Sequence, residues 1–309
     1  RPVAIQIFGG DVDQVREATK VVDAVGPDLI DINFGCPVKK VVCKDGGAGI
    51  LKNLPKMQEI TAAVIEASSR PVTVKTRLGW NDQRIQILDV ARMLEETGIK
   101  ALAVHARTRK QMYKGEARWE WLRKIKEESG ISIPLIGNGD ATTPEKIEAM
   151  FNETGVDAVM VGRGAIGNPW IFRDAKVYRE TGEVLPPPGW GERCEIVAEH
   201  LALKCEWLGE KKGVLEMRRM YGGYFKGHRA EVVGRGAADG RGAGLLVAKP
   251  VEISGREGHA DAVAPARVAV ELRRRVVALA LAVEEHDAAE DVAADPARRR
   301  FASLERRRL

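Results

Sequence analysis

Six short apolar runs, each followed by an amphipathic helical stretch, predict an α/β chain built on a parallel sheet. Polar residues stand at the C-terminal end of nearly every run. That placement narrows the prediction to the TIM (β/α)8 barrel class, because only a barrel brings all strand ends to one rim. A doubly wound sheet would gather its ligand contacts at a single switch point. A Pro-rich break near Leu185, followed by a purely helical pattern, adds a small all-helical domain.

The elements follow in order. "PVAIQIFG" (2–9) is a strand ended by glycines, and "VDQVREATKVVDAVG" is the helix after it. "LIDINFG" (29–35) is the second strand, and Met57, Ile60 and Val64 mark one face of its helix. "PVTVKTRLG" (71–79) is the third, with Ile87, Val90, Ala91 and Leu94 on the next helix face. "ALAVHARTR" (101–109) precedes the helix around "WEWLRKIKEE". "IPLIGNGD" (133–140) precedes "TPEKIEAMFNETG", where Thr143 is the expected N-cap before Pro144. "DAVMVGRGAIG" (157–167) is the sixth strand. Near-continuous apolar strands predict a sheet buried on both faces.

The expected organisation is therefore a barrel domain over 1–184, a helical domain over 185–229, and an atypical tail over 230–309. In the tail Lys249 is the only lysine, alanine and arginine dominate, and Asn, Gln, Thr, Tyr, Trp, Cys and Met vanish. A shifted reading frame in a GC-rich stretch is preferred over a low-complexity tail, and no function is assigned to it. The chain opens at Arg1 without methionine, so a fragment is expected.

The 309 residues include no apolar run of about 18, which argues against a membrane span. Four cysteines without a C-x-x-C pair form no disulfide framework and suggest no metal centre; a reducing cytoplasmic setting is expected. Net charge is +5 with pI near 9.0, a mild bias towards polyanionic partners.

Gln6, Asn33, Lys75, Arg77, His105, Asn138, Asp140 and Arg163 lie at or just past strand C-terminal ends. Cys36, between Gly35 and Pro37, fits two roles equally: a small buried hydrophobe, or a thiol on the rim that donates a proton or attacks. Cys43, Cys194 and Cys205 are read as structural. Lys75 and Arg77 alternate within an apolar strand, so both point the same way. Two such cations are costly to bury unless they meet an anion or an electron-rich ring; the competing reading is a salt bridge from Lys75 to Asp31 or Asp140. Gln6 offers an amide to a flavin or nucleobase edge, or is a satisfied core glutamine. "GNGD" and "GRG" (Gly162, Arg163, Gly164) are turns whose amides can hold a phosphate, with Arg163 as charge partner. His105 is a phosphate or ring ligand, or a rim histidine. Arg107, Arg109, Lys110 and Lys114 with Tyr113 form either a solvated face or a nucleic-acid surface. The same holds for Arg218, Arg219, Tyr221, Tyr224, Phe225 and Lys226.

Together "QIFGG", "DINFGCPVKKV", "PVTVKTRLGW", "HARTRKQMYKGEARWEWL", "IGNGD" and "MVGRGAIGNPWIF" strongly resemble the bacterial tRNA-dihydrouridine synthases, closest to the B type, from residue 2 to about 228. The resemblance implies an FMN-binding barrel followed by a tRNA-binding helical domain. It implies that Gln6, Lys75, Asn138, Gly139, Asp140, Gly162 and Arg163 bind FMN with His105 nearby, and that NADPH or NADH is the reductant. It implies that Asn33 and Arg77 face the target uracil; Arg107 and Arg109, placed just beyond the rim, are expected to bind the substrate RNA. Cys36 would protonate C5 while hydride from the flavin N5 reaches C6 of a flipped-out uracil. A monomer without bound metal is expected. Two departures stand out: the family's first two β/α units have no counterpart before Arg1, and Met220 stands where a histidine is common. The rival readings are an FMN-dependent dehydrogenase of a free pyrimidine and a non-catalytic tRNA-binding remnant.

Overall fold

A computed structural model describes residues 3–225. The tail over 230–309 and Lys226 lie outside the described residues. The chain divides into two compact units between Pro186 and Pro187.

The first unit alternates strands and helices throughout. β1 (Ala4–Ile7), β2 (Leu29–Asn33), β3 (Val72–Arg77), β6 (Ala101–His105), β7 (Leu135–Asn138) and β8 (Ala158–Met160) form one parallel sheet in that spatial order. Between β3 and β6 a small antiparallel hairpin, β4 (Gly79–Asn81) and β5 (Arg84–Ile85), stands on the C-terminal side. The helices are α1 (Val12–Val25), a single turn α2 (Lys39–Val42), α3 (Leu54–Ala67), α4 (Ile87–Thr97), α5 (Glu120–Glu128), α6 (Pro144–Thr154) and α7 (Ile171–Thr181). Consecutive strands lie side by side in the sheet, with β1 and β8 at its two edges. This is a run of six β/α units of a TIM barrel.

Local chemistry sets the helix ends. Asp11 caps α1, accepting a 2.9 Å hydrogen bond from the Gln14 amide, and Gly26 ends that helix at φ 75°. Asn53 and Thr143 cap α3 and α6, each followed by a proline in the first turn. The expected helix faces are the buried ones: Met57, Ile60 and Val64 in α3, and Ile87, Val90, Ala91 and Leu94 in α4.

The strands depart from expectation in one respect. Only the helix-facing side is uniformly buried, through Ile30, Ile32, Val72, Val74, Leu102, Val104 and Leu135. The other face carries Asp31, Asn33, Thr73, Lys75, Arg77 and His105. Nearly continuous apolar character was expected on both sides; the polar positions hidden in that pattern are the ones that line a cavity. β8 is also much shorter than the 157–167 run, because glycines at 162 and 164 leave the extended conformation.

The second unit is a helical pair, α8 (Trp190–Leu208) and α9 (Glu210–Phe225). Gly213 lets the two helices approach: a Cβ there would stand 2.8 Å from the Cys205 backbone. Tyr221 and Tyr224 are buried, the Tyr224 hydroxyl lying 3.0 Å from His200 Nδ1. Both tyrosines therefore belong to this unit's core, whereas Arg218 and Arg219 are exposed. Phe225 packs on Trp190 at 5.1 Å between ring centroids.

Candidate active site

Parallel register assembles the site. Asn33 lies beside Lys75, and Arg77, His105 and Asn138 sit side by side on three neighbouring strands. Their side chains share one face, at the C-terminal ends, around a cavity of about 350 Å³. Gln6, Asn33, Cys36, Lys75, Arg77, His105, Asn138, Gly139, Asp140, Gly162 and Arg163 all line it. Arg107 and Arg109 do not.

Cys36 is a free, half-buried thiol in the turn after β2. Asn33 builds that turn: its Oδ1 accepts from the amides of Gly35 (3.0 Å) and Cys36 (2.9 Å). The same side chain donates from Nδ2 to Gln6 Oε1 at 2.7 Å, and Gln6 Nε2 in turn donates to Asp31. Thr73 also donates to Asp31, at 2.6 Å. Burial raises the Asp31 carboxyl above its usual range, against the pull of these donors and of Lys75. Gln6 is thus an exposed edge residue on the cavity wall, not a core glutamine. Asn33 holds the thiol's loop in place, with one Nδ2 hydrogen left over.

Lys75 makes no hydrogen bond or ion pair among the described residues, so the expected alternative of a salt bridge to Asp31 or Asp140 does not form. Burial, with the Arg77 charge next to it, pushes its ammonium down to about 8. Arg77 is almost wholly buried. Its Nε donates to the Gly35 carbonyl (2.8 Å) and its Nη1 to those of Thr108 (3.2 Å) and Met112 (2.8 Å). It ties the loop after β2 to the loop after β6 while lining the cavity, and its Nη2 has no hydrogen-bond partner among the described residues. Burial lowers its pKa to about 10.

Arg107 is 2% exposed and accounts for the geometry of the β7 turn. Its Nη2 donates to both Asp140 carboxylate oxygens (2.8 and 2.6 Å) and to the Gly115 carbonyl, while its Nη1 lies 3.3 Å from His105 Nε2. A guanidinium so enclosed cannot touch an RNA surface; it positions the groups that face the cavity. Because Arg107 can only donate, His105 Nε2 must accept, and the ring proton sits on Nδ1. Burial and the nearby charges of Arg77, Lys75 and Arg107 push the His105 pKa down to about 3, so the imidazole is neutral. For Asp140, burial favours the acid, but the bonds from Arg107 and the Ala117 amide and the charge of Arg163 hold the carboxyl below its usual range.

At the β7 and β8 ends the backbone is left open. Gly139 and Asp140 both take positive φ, 121° and 57°. The amides of Ala141, Thr142, Gly162, Arg163 and Gly164 have no hydrogen-bond partner among the described residues. Ala141, Thr142 and Gly164 join the cavity lining, beside the half-exposed Arg163, which reaches Asp140 at 3.5 Å. Tyr113 forms another wall, its ring 4.8 Å from the Arg163 guanidinium and 5.6 Å from that of Arg77. Sequence reasoning placed Tyr113 only in a basic run; the folded loop after β6 is what returns it to the cavity. Arg109 stacks on Trp80 at 4.8 Å instead of entering the site.

The model of the family described as Dihydrouridine synthase (Dus) matches residues 1–241. The chain belongs to the dihydrouridine synthase family. A tRNA-dihydrouridine synthase B of Pseudomonas putida is 44% identical over 224 residues, covering 72% of this chain and 66% of that protein. The corresponding protein of Shewanella oneidensis is 41% identical over 222 residues, covering 72% and 68%. A probable tRNA-dihydrouridine synthase of Rickettsia conorii is 37% identical over 235 residues, covering 76% and 70%. The chain spans about two thirds of the length of the curated relatives it matches.

Proposed function

We propose that this chain carries the catalytic face of a flavin-dependent tRNA-dihydrouridine synthase, reducing uridine in cytoplasmic tRNA to 5,6-dihydrouridine. The observation that carries the reading is the convergence of three features in one cavity. They are a half-buried free thiol, a lysine without a hydrogen bond or ion pair among the described residues, and two turns whose amides have no partner among those residues.

That donor set fits FMN. A phosphate suits the unpaired amides of Ala141–Thr142 and Gly162–Gly164, with Arg163 as its counter-charge. Lys75 suits an electron-rich ring or its anion, and the Gln6 and Asn138 amides can border the ring edge. Asp140 and Gly139 shape the turn, and His105 presents a neutral Nδ1–H. When bound and reduced by NADPH or NADH, FMN supplies hydride to C6 of the uracil.

The protein's own residues then do three things. Arg77 Nη2 and Asn33 Nδ2 orient the base at its polar edge. Tyr113 closes one side of the cavity and limits water. Cys36 Sγ holds the proton that C5 takes up, so the C5–C6 double bond becomes single, and the thiolate regains its proton from solvent. Reaching this cavity requires the base to leave its stack. Arg218 and Arg219 of the second unit are the exposed cations we assign to the RNA there, with 185–229 as the tRNA-binding domain and a monomer as the working unit.

The test is Cys36→Ala in the full chain loaded with FMN. Reduction of unmodified tRNA should fall by ~10²-fold or more, with flavin uptake and tRNA affinity unchanged. An unchanged rate would remove Cys36 from the chemistry. Reduction of free uracil in preference to tRNA would instead favour a free-pyrimidine dehydrogenase. Salt-sensitive tRNA binding without flavin uptake would favour a non-catalytic RNA-binding protein.

A further inference from the structure

Three buried side-chain polar atoms lack a hydrogen-bond partner among the described residues: Asn81 Oδ1, Arg109 Nε and Arg118 Nε. All three lie where the β4–β5 hairpin meets the loop after β6. Native proteins leave few such groups unpaired, so their concentration at one junction calls for a physical account. At its centre is Trp80. The Lys52 ammonium stands 4.2 Å from the centroid of its indole and the Arg109 guanidinium 4.8 Å.

The three residues come from three successive rim loops. Lys52 closes the turn (Gly47–Lys52) that follows the Cys36 loop, Trp80 is on the hairpin after β3, and Arg109 is on the loop after β6. Backbone bonds lock the last two together, the Arg109 amide donating to Gly79 (2.9 Å) and the Lys110 amide to Trp80 (3.0 Å). Neither cation over the indole forms an ion pair among the described residues, and Lys52 is exposed. Two like charges gathered on one ring repel each other, and the ring's negative face offsets that repulsion only in part. A pair of cations gathered in this way suits an anion supplied from outside the protein.

We propose that Trp80 is a positioning residue that holds Lys52 and Arg109 as a paired-cation site for neighbouring phosphates of the RNA strand, next to the nucleotide that enters the cavity. This rests on the reading of the chain as a tRNA-modifying enzyme. It assigns the grip on the flanking backbone to the barrel rim itself. Held on one ring, the two charges are close enough to meet adjacent phosphates of one strand, and the loops they fix are those that carry Cys36 and Tyr113.

The experiment measures binding of a labelled unmodified tRNA transcript to the full chain across a series of salt concentrations. The variants are Trp80→Ala, Trp80→Phe and the Lys52→Ala/Arg109→Ala double, with flavin uptake followed in parallel. Trp80→Ala should weaken binding ~10-fold at moderate salt and lower the log–log salt slope by about one to two, the counterions that Lys52 and Arg109 displace from the RNA when it binds. Trp80→Phe should keep the wild-type slope, and flavin uptake should not change in any variant. A wild-type slope in Trp80→Ala, or a double variant with undiminished slope, overturns the proposal. So does loss of flavin uptake in Trp80→Ala, which would make the indole a support of the cavity. Wild-type chain that shows no affinity for tRNA would instead overturn the functional reading on which the proposal stands.

Discussion

Lys75 shows how a single residue can work against the fold and for the site. Its ammonium is half-buried without a hydrogen bond or ion pair among the described residues, and burial and the Arg77 charge outweigh the Asp31 carboxylate to push its pKa from 10.5 down to about 8. Below pH 8 it is charged in both folded and unfolded chains, and folding carries the full desolvation cost. Between pH 8 and 10.5 the unfolded chain binds more protons, so stability rises with pH; above 10.5 the cost has gone. Lys75→Met should therefore stabilise the flavin-free protein by about 2 kcal/mol at pH 7, with the gain fading by pH 10, in denaturant titrations. The same variant should bind FMN at least ~10-fold more weakly in a fluorescence titration. A variant no more stable than wild type at pH 7 would show that the ammonium is already satisfied. Lys75 could be picked out in the sequence as a charge inside an apolar strand. Arg107 could not be sorted the same way. Nothing in a basic run says which guanidinium turns inward, and only the fold shows that Arg107 clasps Asp140 whereas Arg109 lies on Trp80.

At the scale of elements, the turn after β7 decides whether the cavity has a floor. Gly139 takes φ 121°, where an L side chain is strained, and a Cβ there would stand 2.8 Å from Ala117 Cβ and 3.0 Å from His105 Cδ2. Gly139→Ala should cost about 2–3 kcal/mol by adding backbone strain to overpacking. It should also shift His105 off Arg107, seen as a changed histidine signal by NMR, and weaken flavin uptake. A variant with wild-type Tm would mean that the turn relaxes at no cost. This glycine was legible as part of a phosphate-type turn, but its closeness to His105 was not. The β4–β5 hairpin escaped sequence reasoning altogether. "GWNDQRI" is too short to show a strand period, and its pairing is set by a bulged register that leaves Gly79 against the Arg84 carbonyl.

Across the whole first unit, protection should follow position in the sheet. β3 and β6 are central and flanked by strands on both sides, whereas β1 and β8 form the edges. β1 is bordered by exposed Val3 and Phe8, and β8 has no buried residue. Amide hydrogen exchange read by mass spectrometry should find β3 and β6 exchanging slowest and β1 and β8 fastest, by ~10²-fold or more. Equal protection across all six strands would mean that both edges are covered in solution.

By itself the sequence determined the alternation of strands and helices, the helix faces and the membership of the rim. Each of these follows from local periodicity and from which residues end a strand. It also marked out Cys36, the two glycine turns and the family. Tertiary structure alone decided which polar groups are paired and which are left for a ligand. Asn33 is committed to the Cys36 turn and Arg107 to Asp140, while Lys75 and the β7 and β8 amides remain open. Pairing of this kind depends on strand register and loop approach, which join residues far apart in the chain, and no local pattern encodes it.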